Sequence, residues 1–323
     1  MINQNKKRFA VLVLSTVMCW VSAAQAQPAR PIRIVSPFAT ASVSDLTLRL
    51  LAERLGPRLN TSVIIENQPT GGGIAAARAV LTAPTDGNTL ALLSNASAVS
   101  VTTFKKLPYD PVNDFVPVAG ISQFAYIILS NDQEGSRSFR EFLDMARTKP
   151  GVLNVGTAAP GTTPHLIALL LKKEAGIDFA IIPFKGAADL SVALMRKDVH
   201  VFINAYGAVR ENLRQKQMRA IATTSSERSK LLPEVPTIQE TGVRGFDVSS
   251  WNGLFAPNGS PAPYLARIGQ ELHATLVQPE VNRKLLDLGI EVWPSNAAEL
   301  GAKMRAEVAR WGQIVKDAGL ETN

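Results

Sequence analysis

Cysteine is all but missing from this chain, with Cys19 its single representative in 323 residues. Cys19 sits in an N-terminal segment ordered like a secretory signal. Lys6, Lys7 and Arg8 come first, then an apolar stretch from Phe9 to Val21, then Ala24-Gln25-Ala26. That stretch falls short of the ~20 residues a membrane helix needs. Thr16-Val17-Met18 are not the small residues that a lipoprotein signal places before its cysteine. Residues 1–26 are therefore expected to be a signal peptide, cleaved after Ala26 on export. The mature chain would hold no cysteine, which excludes thiolate catalysis, zinc–thiolate sites and redox switching. A core of this size folds without disulfides.

Histidine is scarce too. His165, His200 and His273 each stand apart from carboxylates at ligand spacing, so each reads as a structural or surface residue. Neither a G-x-S-x-G elbow nor a G-x-x-x-x-G-K-[ST] loop occurs. Gly71-Gly72-Gly73-Ile74-Ala75-Ala76 matches G-x-G-x-x-A, yet Gln68-Pro69-Thr70 separate it from the preceding strand. No strand-terminal acid follows at the fingerprint spacing, so this is a helix-capping turn. The 34 basic and 27 acidic residues leave +7, scattered without a run suited to nucleic acid. Repeats and low-complexity segments are lacking. No catalytic residue, metal or cofactor is expected.

What is present is apolar content, 46% of the chain against 19% charged, enough for one large domain or two ordinary ones. The pattern alternates. Ile32–Ser36 reads as a strand. Leu48, Leu51, Ala52, Leu55 and Leu59 recur at helical spacing, behind a cap at Ser44 or Asp45. Ser62–Asn67 and Thr89–Leu93 read as strands with a helix Ile74–Leu81 between them. Val116–Leu129 is strand-rich but interrupted near Gly120-Ile121-Ser122. A second series follows, with a capping box at Ser138–Glu141, strands Leu153–Gly156, Ala180–Pro183, His200–Asn204 and Arg219–Thr223, and intervening helices. Thr163 caps one of these helices, with Pro164 at its first position. Val248–Ala256 is a further strand, and three helices starting near Pro263, Pro279 and Asn296 close the chain. Two α/β series with one strand out near 122 and one back near 250 predict two lobes: 27–122 plus 250–323, and 123–249.

Two loops stand out. Pro37–Asp45 and Gly156–His165 each join a strand to a helix N-terminus and carry few bulky side chains. Helix N-termini bind anions through unpaired N–H groups without needing arginine. Ligands of open α/β sheets settle beyond the carboxyl ends of the strands, where both loops belong. One such loop in each lobe favours a shared anionic ligand, with plain helix capping as the alternative.

The ordered segments resemble the substrate-binding proteins of tripartite tricarboxylate transporters, the Bug-type periplasmic receptors, over nearly the whole mature chain. The resemblance rests on Pro31-Ile32-Arg33 with Pro37-Phe38 and Asp45, on Glu66-Asn67-Gln68-Pro69 with Gly72-Gly73, and on Leu107-Pro108-Tyr109-Asp110-Pro111 with Asp114-Phe115. Gly161-Thr162-Thr163-Pro164-His165-Leu166, Pro183-Phe184-Lys185-Gly186, Pro233-Glu234-Val235-Pro236-Thr237 and Ser250-Trp251-Asn252-Gly253-Leu254 complete it.

The resemblance implies a type II periplasmic binding fold, two α/β lobes joined by two crossing strands. It implies a carboxylate held on Phe38, Ala39, Thr40, Ala41 and Ser42, and on Thr157, Ala158, Thr162 and Thr163, partly through water. Asp45, Ser94, Phe184, Lys185 and Gly186 belong to the same implied site, and Asn204 faces the other end of the ligand. The partners implied are a small organic carboxylate and membrane permease subunits, with the receptor a monomer that binds no nucleic acid. Ala41-Ser42 replaces the usual Gly-Gly, Phe184 the usual Tyr, and Asn204 the usual Asp. Without that carboxylate a ligand ammonium loses its partner, which points to a plain organic acid rather than an amino acid. A sensor presenting the ligand to a signalling ectodomain is the rival reading; an exported enzyme has no catalytic constellation behind it.

Overall fold

The computed structural model describes residues 30–69, 73–131, 135–317 and 319. The signal-like segment 1–26 with Cys19, and Gly71 and Gly72, lie outside the described residues. In the first lobe β1 (Ile32–Ser36), β2 (Val63–Asn67) and β3 (Thr89–Ser94) are followed respectively by α1 (Val43–Leu59), α2 (Ile74–Leu81) and α3 (Asn95–Thr103). β1 lies between β2 and β3, parallel to both. Their residues alternate between two layers, as a pleated strand requires. Ile32, Ile34, Leu90 and Leu92 face α1 together with α8 (Ala262–Leu276) and α9 (Pro279–Asp287). Val35, Ala91 and Leu93 face α2, α3 and α10 (Ala297–Asp317).

The second lobe repeats the scheme. α4 (Phe139–Thr148) precedes β5 (Asn154–Thr157), β6 (Ala180–Pro183) and β7 (Val201–Ala205). These lead into α5 (Thr163–Ala175), α6 (Ala187–Met195) and α7 (Tyr206–Arg214), and β8 (Met218–Thr223) ends the series. β5 lies between β6 and β7, parallel to both.

Two strands cross between the lobes. β4 (Phe115–Asn131) pairs antiparallel with β9 (Ser249–Pro257) in its first part and with β7 and β8 in its last. The sheet order is β2-β1-β3-β9-β4-β7-β5-β6; β8 and the two-residue β10 (Glu291–Val292) also pair with β4. The sequence pattern predicts an interruption at Gly120-Ile121-Ser122. The strand instead runs through, absorbing the irregularity as register shifts against β9 at Pro117/Ala119 and Gly120/Ser122. Gly120 is required there because a Cβ would collide with Trp293 and Ser295, while its amide donates to Ser295 O at 3.1 Å.

Three local expectations shift. The cap of α1 is Ser42, whose hydroxyl accepts from the Asp45 amide at 3.2 Å, not Ser44 or Asp45. Helix α5 starts at Thr163 with Thr162 at its cap and Pro164 one position further in. Helix α3 stands where no helix is expected, because its sequence NASAVSVTT is rich in serine and β-branched residues with weak helix propensity. Burial against α10 carries it, with Ala98 and Val99 in the same apolar cluster as Met304 and Trp311. That cluster continues into the second lobe through Leu166, Leu170 and Phe142, so α10 spans both lobes on one side of the sheet.

Candidate functional site

The loops beyond β1 and β5 are built differently. After β1, the Ser42 amide donates to Ala39 O at 3.1 Å, closing a turn with Ala41 at φ +63°. An L-residue in that region pays a steric penalty that glycine does not, which explains why Gly suits this position and why Ala41 is strained. The left-handed turn aims the Ala41 amide at Asp45 Oδ2, 2.8 Å away. Asp45 is 1% exposed. It also accepts from Arg49 Nε at 3.0 Å and Asn67 Nδ2 at 3.0 Å, and that same Asn67 amide donates to Phe38 O at 3.0 Å. Burial pushes its pKa up, but the bonds from Arg49, Ala41 and Asn67 together hold it below the ordinary carboxylate value. The loop therefore already contains an anion of its own. Asp45 shapes the turn, while Ala39, Thr40 and Ala41 are its exposed crest.

Ser94, at the end of β3, is equally engaged. Its hydroxyl accepts from the Ala96 amide at 3.2 Å and its own amide donates to Ser97 Oγ at 3.3 Å, a capping box on α3.

The helices at the carboxyl ends of β5, β6 and β7 lack this self-sufficiency. α5, α6 and α7 begin at caps Thr162, Gly186 and Ala205, none with a side-chain capping bond. The Thr162 hydroxyl turns back to Ala159 O at 2.6 Å, and Thr157 Oγ1, fully buried, donates to Ala158 O at 2.9 Å. Asn204 Oδ1 accepts from the Ala205 amide at 2.8 Å. The Gly161 amide points to His165 Nδ1 at 3.4 Å; burial lowers the pKa of His165, which keeps that nitrogen an acceptor. Phe184 and Lys185 line a shallow hollow of about 620 Å³ with Ala159 and Pro160.

The lobes meet at a buried polar cluster. Asn95 Nδ2 donates to Thr163 Oγ1 at 2.8 Å, and the Ser250 hydroxyl donates to Asn95 Oδ1 at 2.5 Å. The Tyr126 side chain lies beside Thr163, Ser250 and Asn95, and burial raises the pKa of its hydroxyl. Thr162 and Thr163 line a groove of about 650 Å³ whose opposite wall is α3, not the Pro37–Asp45 loop. Thr162 and Thr163 thus come together with Tyr126 of β4 and the first turn of α3. Loop 38–42 forms a separate group with Asp45 and Asn67. Asn95, Tyr126 and Ser250 escaped the sequence reading. The signal that could have found them is Ser94-Asn95-Ala96-Ser97, a capping pattern immediately after a strand.

Two sheet halves joined by crossing strands, with helix N-termini gathered at the carboxyl ends of the parallel strands, define a two-lobed solute-binding protein. The same fold is found in a TctC solute-binding protein from Polaromonas, with TM-score 0.80 at 23% identity, covering 90% of this chain and all of that one. The chain belongs to the tripartite tricarboxylate transporter receptor family, whose model matches residues 47–320.

Among relatives, a protein encoded in the tcbD–tcbE intergenic region of a Pseudomonas species is 30% identical over 313 residues, 97% of this chain and 93% of that one. Protein BugT of Bordetella pertussis is 28% identical over 298 residues, 92% of this chain and 91% of its own. Among solved structures, malate-bound MatC from Rhodopseudomonas palustris is 31% identical with TM-score 0.69, covering 90% of this chain and all of its own. An R. palustris protein solved with adipate is 29% identical with TM-score 0.74, covering 92% and 99%.

Proposed function

We propose that the protein is a periplasmic receptor that captures a small organic carboxylate between its lobes and delivers it to a membrane permease of the tripartite tricarboxylate type. The observation that carries this reading is the set of three uncapped helix N-termini, at Thr162, Gly186 and Ala205, around the carboxyl ends of β5, β6 and β7. Such termini offer N–H donors and positive dipole ends to an anion without any basic side chain. The malate and adipate held by the two R. palustris relatives support the same ligand class. In this reading Ala158, Thr162, Thr163, Phe184, Lys185 and Gly186 contact ligand from the second lobe, with Phe38–Ser42 as the facing wall. Asn204 in place of an acid disfavours amino acids. Export with cleavage after Ala26, lobe boundaries near 122 and 250, a monomeric state and the absence of catalysis complete the proposal.

Thermal-shift and calorimetric titration of the mature protein against mono-, di- and tricarboxylates tests it. A ligand at ~100 times its Kd adds ~2.7 kcal/mol of stability. A panel in which no carboxylate raises the melting temperature defeats the reading; micromolar binding of aspartate or glutamate defeats its exclusion of amino acids.

A further inference from the structure

The groove between α3 and α5 is lined by apolar side chains together with hydroxyls. Val99, Phe104, Pro160, Pro164 and Val315 supply hydrocarbon walls. The hydroxyls of α3 that reach the groove are occupied within their own helix. Ser100 Oγ donates to Ala96 O at 2.8 Å, Thr102 Oγ1 to Val99 O at 2.8 Å and Thr103 Oγ1 to Val99 O at 3.4 Å, so no wall hydroxyl proton is left over for a ligand. None of the lining residues is a lysine, arginine or histidine. Tyr126 and Thr163 also line it, beside the uncapped first turn of α5.

We infer that this groove receives the body of a monocarboxylic acid with an aliphatic or aromatic tail. One carboxylate rests beside Tyr126 and Thr163, and the tail lies along Val99, Phe104 and Val315. The inference rests on the carboxylate-receptor reading, keeps a carboxylate at Thr163, and turns the body of the ligand toward α3 instead of the Phe38–Ser42 wall. A second carboxylate laid along the groove would lose its water without gaining a cation or a free donor, which disfavours it strongly. An apolar tail gains by the same transfer.

Calorimetric titration of the mature protein with hexanoate, benzoate and malate reads the difference. Hexanoate or benzoate is expected to bind about tenfold or more tightly than malate. Ala96→Phe is the first variant; residue 96 is exposed on α3 at the groove, so the ring fills the slot without entering the core. It is expected to weaken hexanoate about tenfold at unchanged melting temperature. Phe104→Ala, which removes a lining ring and enlarges the slot, is expected to improve binding of octanoate relative to hexanoate, and this readout holds if the first variant folds poorly. Malate binding as tightly as hexanoate overturns the tail preference and leaves the receptor reading standing. Binding of none of the three acids overturns the inference, whereas the receptor reading falls only if the wider carboxylate panel is silent as well. Unchanged hexanoate affinity in a folded Ala96→Phe protein, or no gain for octanoate in Phe104→Ala, overturns the placement in this groove.

Discussion

The two lobes share one strand–loop–helix scheme, but the helices that follow β1 and β3 are capped by side chains and those that follow β5, β6 and β7 are not. In the first, Ser42 and Ser94 cap α1 and α3, and Asp45 fills the turn after β1. In the second, α5, α6 and α7 start at Thr162, Gly186 and Ala205 without a side-chain cap. Topology alone would make the two loops equivalent anion cradles. The side chains make one a finished wall and leave donors open on the other. The difference resides in a few short polar residues and not in the fold.

Three changes test that contrast. The largest effect is expected from Asp45→Ala, which strips the Ala41 amide, Arg49 and Asn67 of their buried acceptor. Chemical denaturation should show a loss of about 2–3 kcal/mol. Because the folded pKa lies below the ordinary aspartate value, the contribution is complete above that ordinary value and fades as pH falls through the folded pKa. A stable Asp45→Ala protein with improved carboxylate affinity would mean the first loop is a ligand cradle after all.

Next comes Gly186→Asp, which gives α6 the kind of cap that α1 possesses. A Cβ there meets nothing within 4 Å, and φ of −172° is ordinary extended backbone. Stability should rise by a few tenths of a kcal/mol. Carboxylate affinity should fall about tenfold, ~1.4 kcal/mol, because the new charge occupies the donors. Undiminished affinity by calorimetry would remove α6 from the site.

The smallest effect is expected from Ala41→Gly, which relieves the left-handed strain at φ +63°. The gain, about 0.5–1 kcal/mol in the denaturation midpoint, is the steric relief less the extra freedom of glycine in the unfolded chain. A loss of stability would show that the turn is held without strain.

The strands were legible because their apolar residues alternate or run together, and Ala180–Pro183 is found where the pattern puts it. The reciprocal cap at Asn296 was legible as well: Glu299 N donates to Asn296 Oδ1 at 3.0 Å and Asn296 N to Glu299 Oε2 at 2.9 Å. At Ser138 half of the box holds. Its hydroxyl accepts from Glu141 N at 3.2 Å, but the Glu141 carboxylate accepts from Arg137 N instead. Helix α3 was illegible because its residues favour other conformations and only burial against α10 outweighs them. The capping contrast was equally hidden. Thr162 is a good capping residue by type, and only its rotamer, turned back to Ala159 O, shows that it leaves α5 open. Asn95, Tyr126 and Ser250 are distant in sequence, so their meeting depends on how β4 and β9 cross.

Helix α10 has a thermodynamic corollary. Trp311, Ile314 and Val315 belong to one apolar cluster with Leu166 and Leu170 of α5 and Val99 of α3, and Lys173 of α5 pairs with Asp317 at 2.5 Å. Melting either lobe exposes surface that the other also buries. Heat should therefore unfold the molecule as a single cooperative unit, with one calorimetric peak.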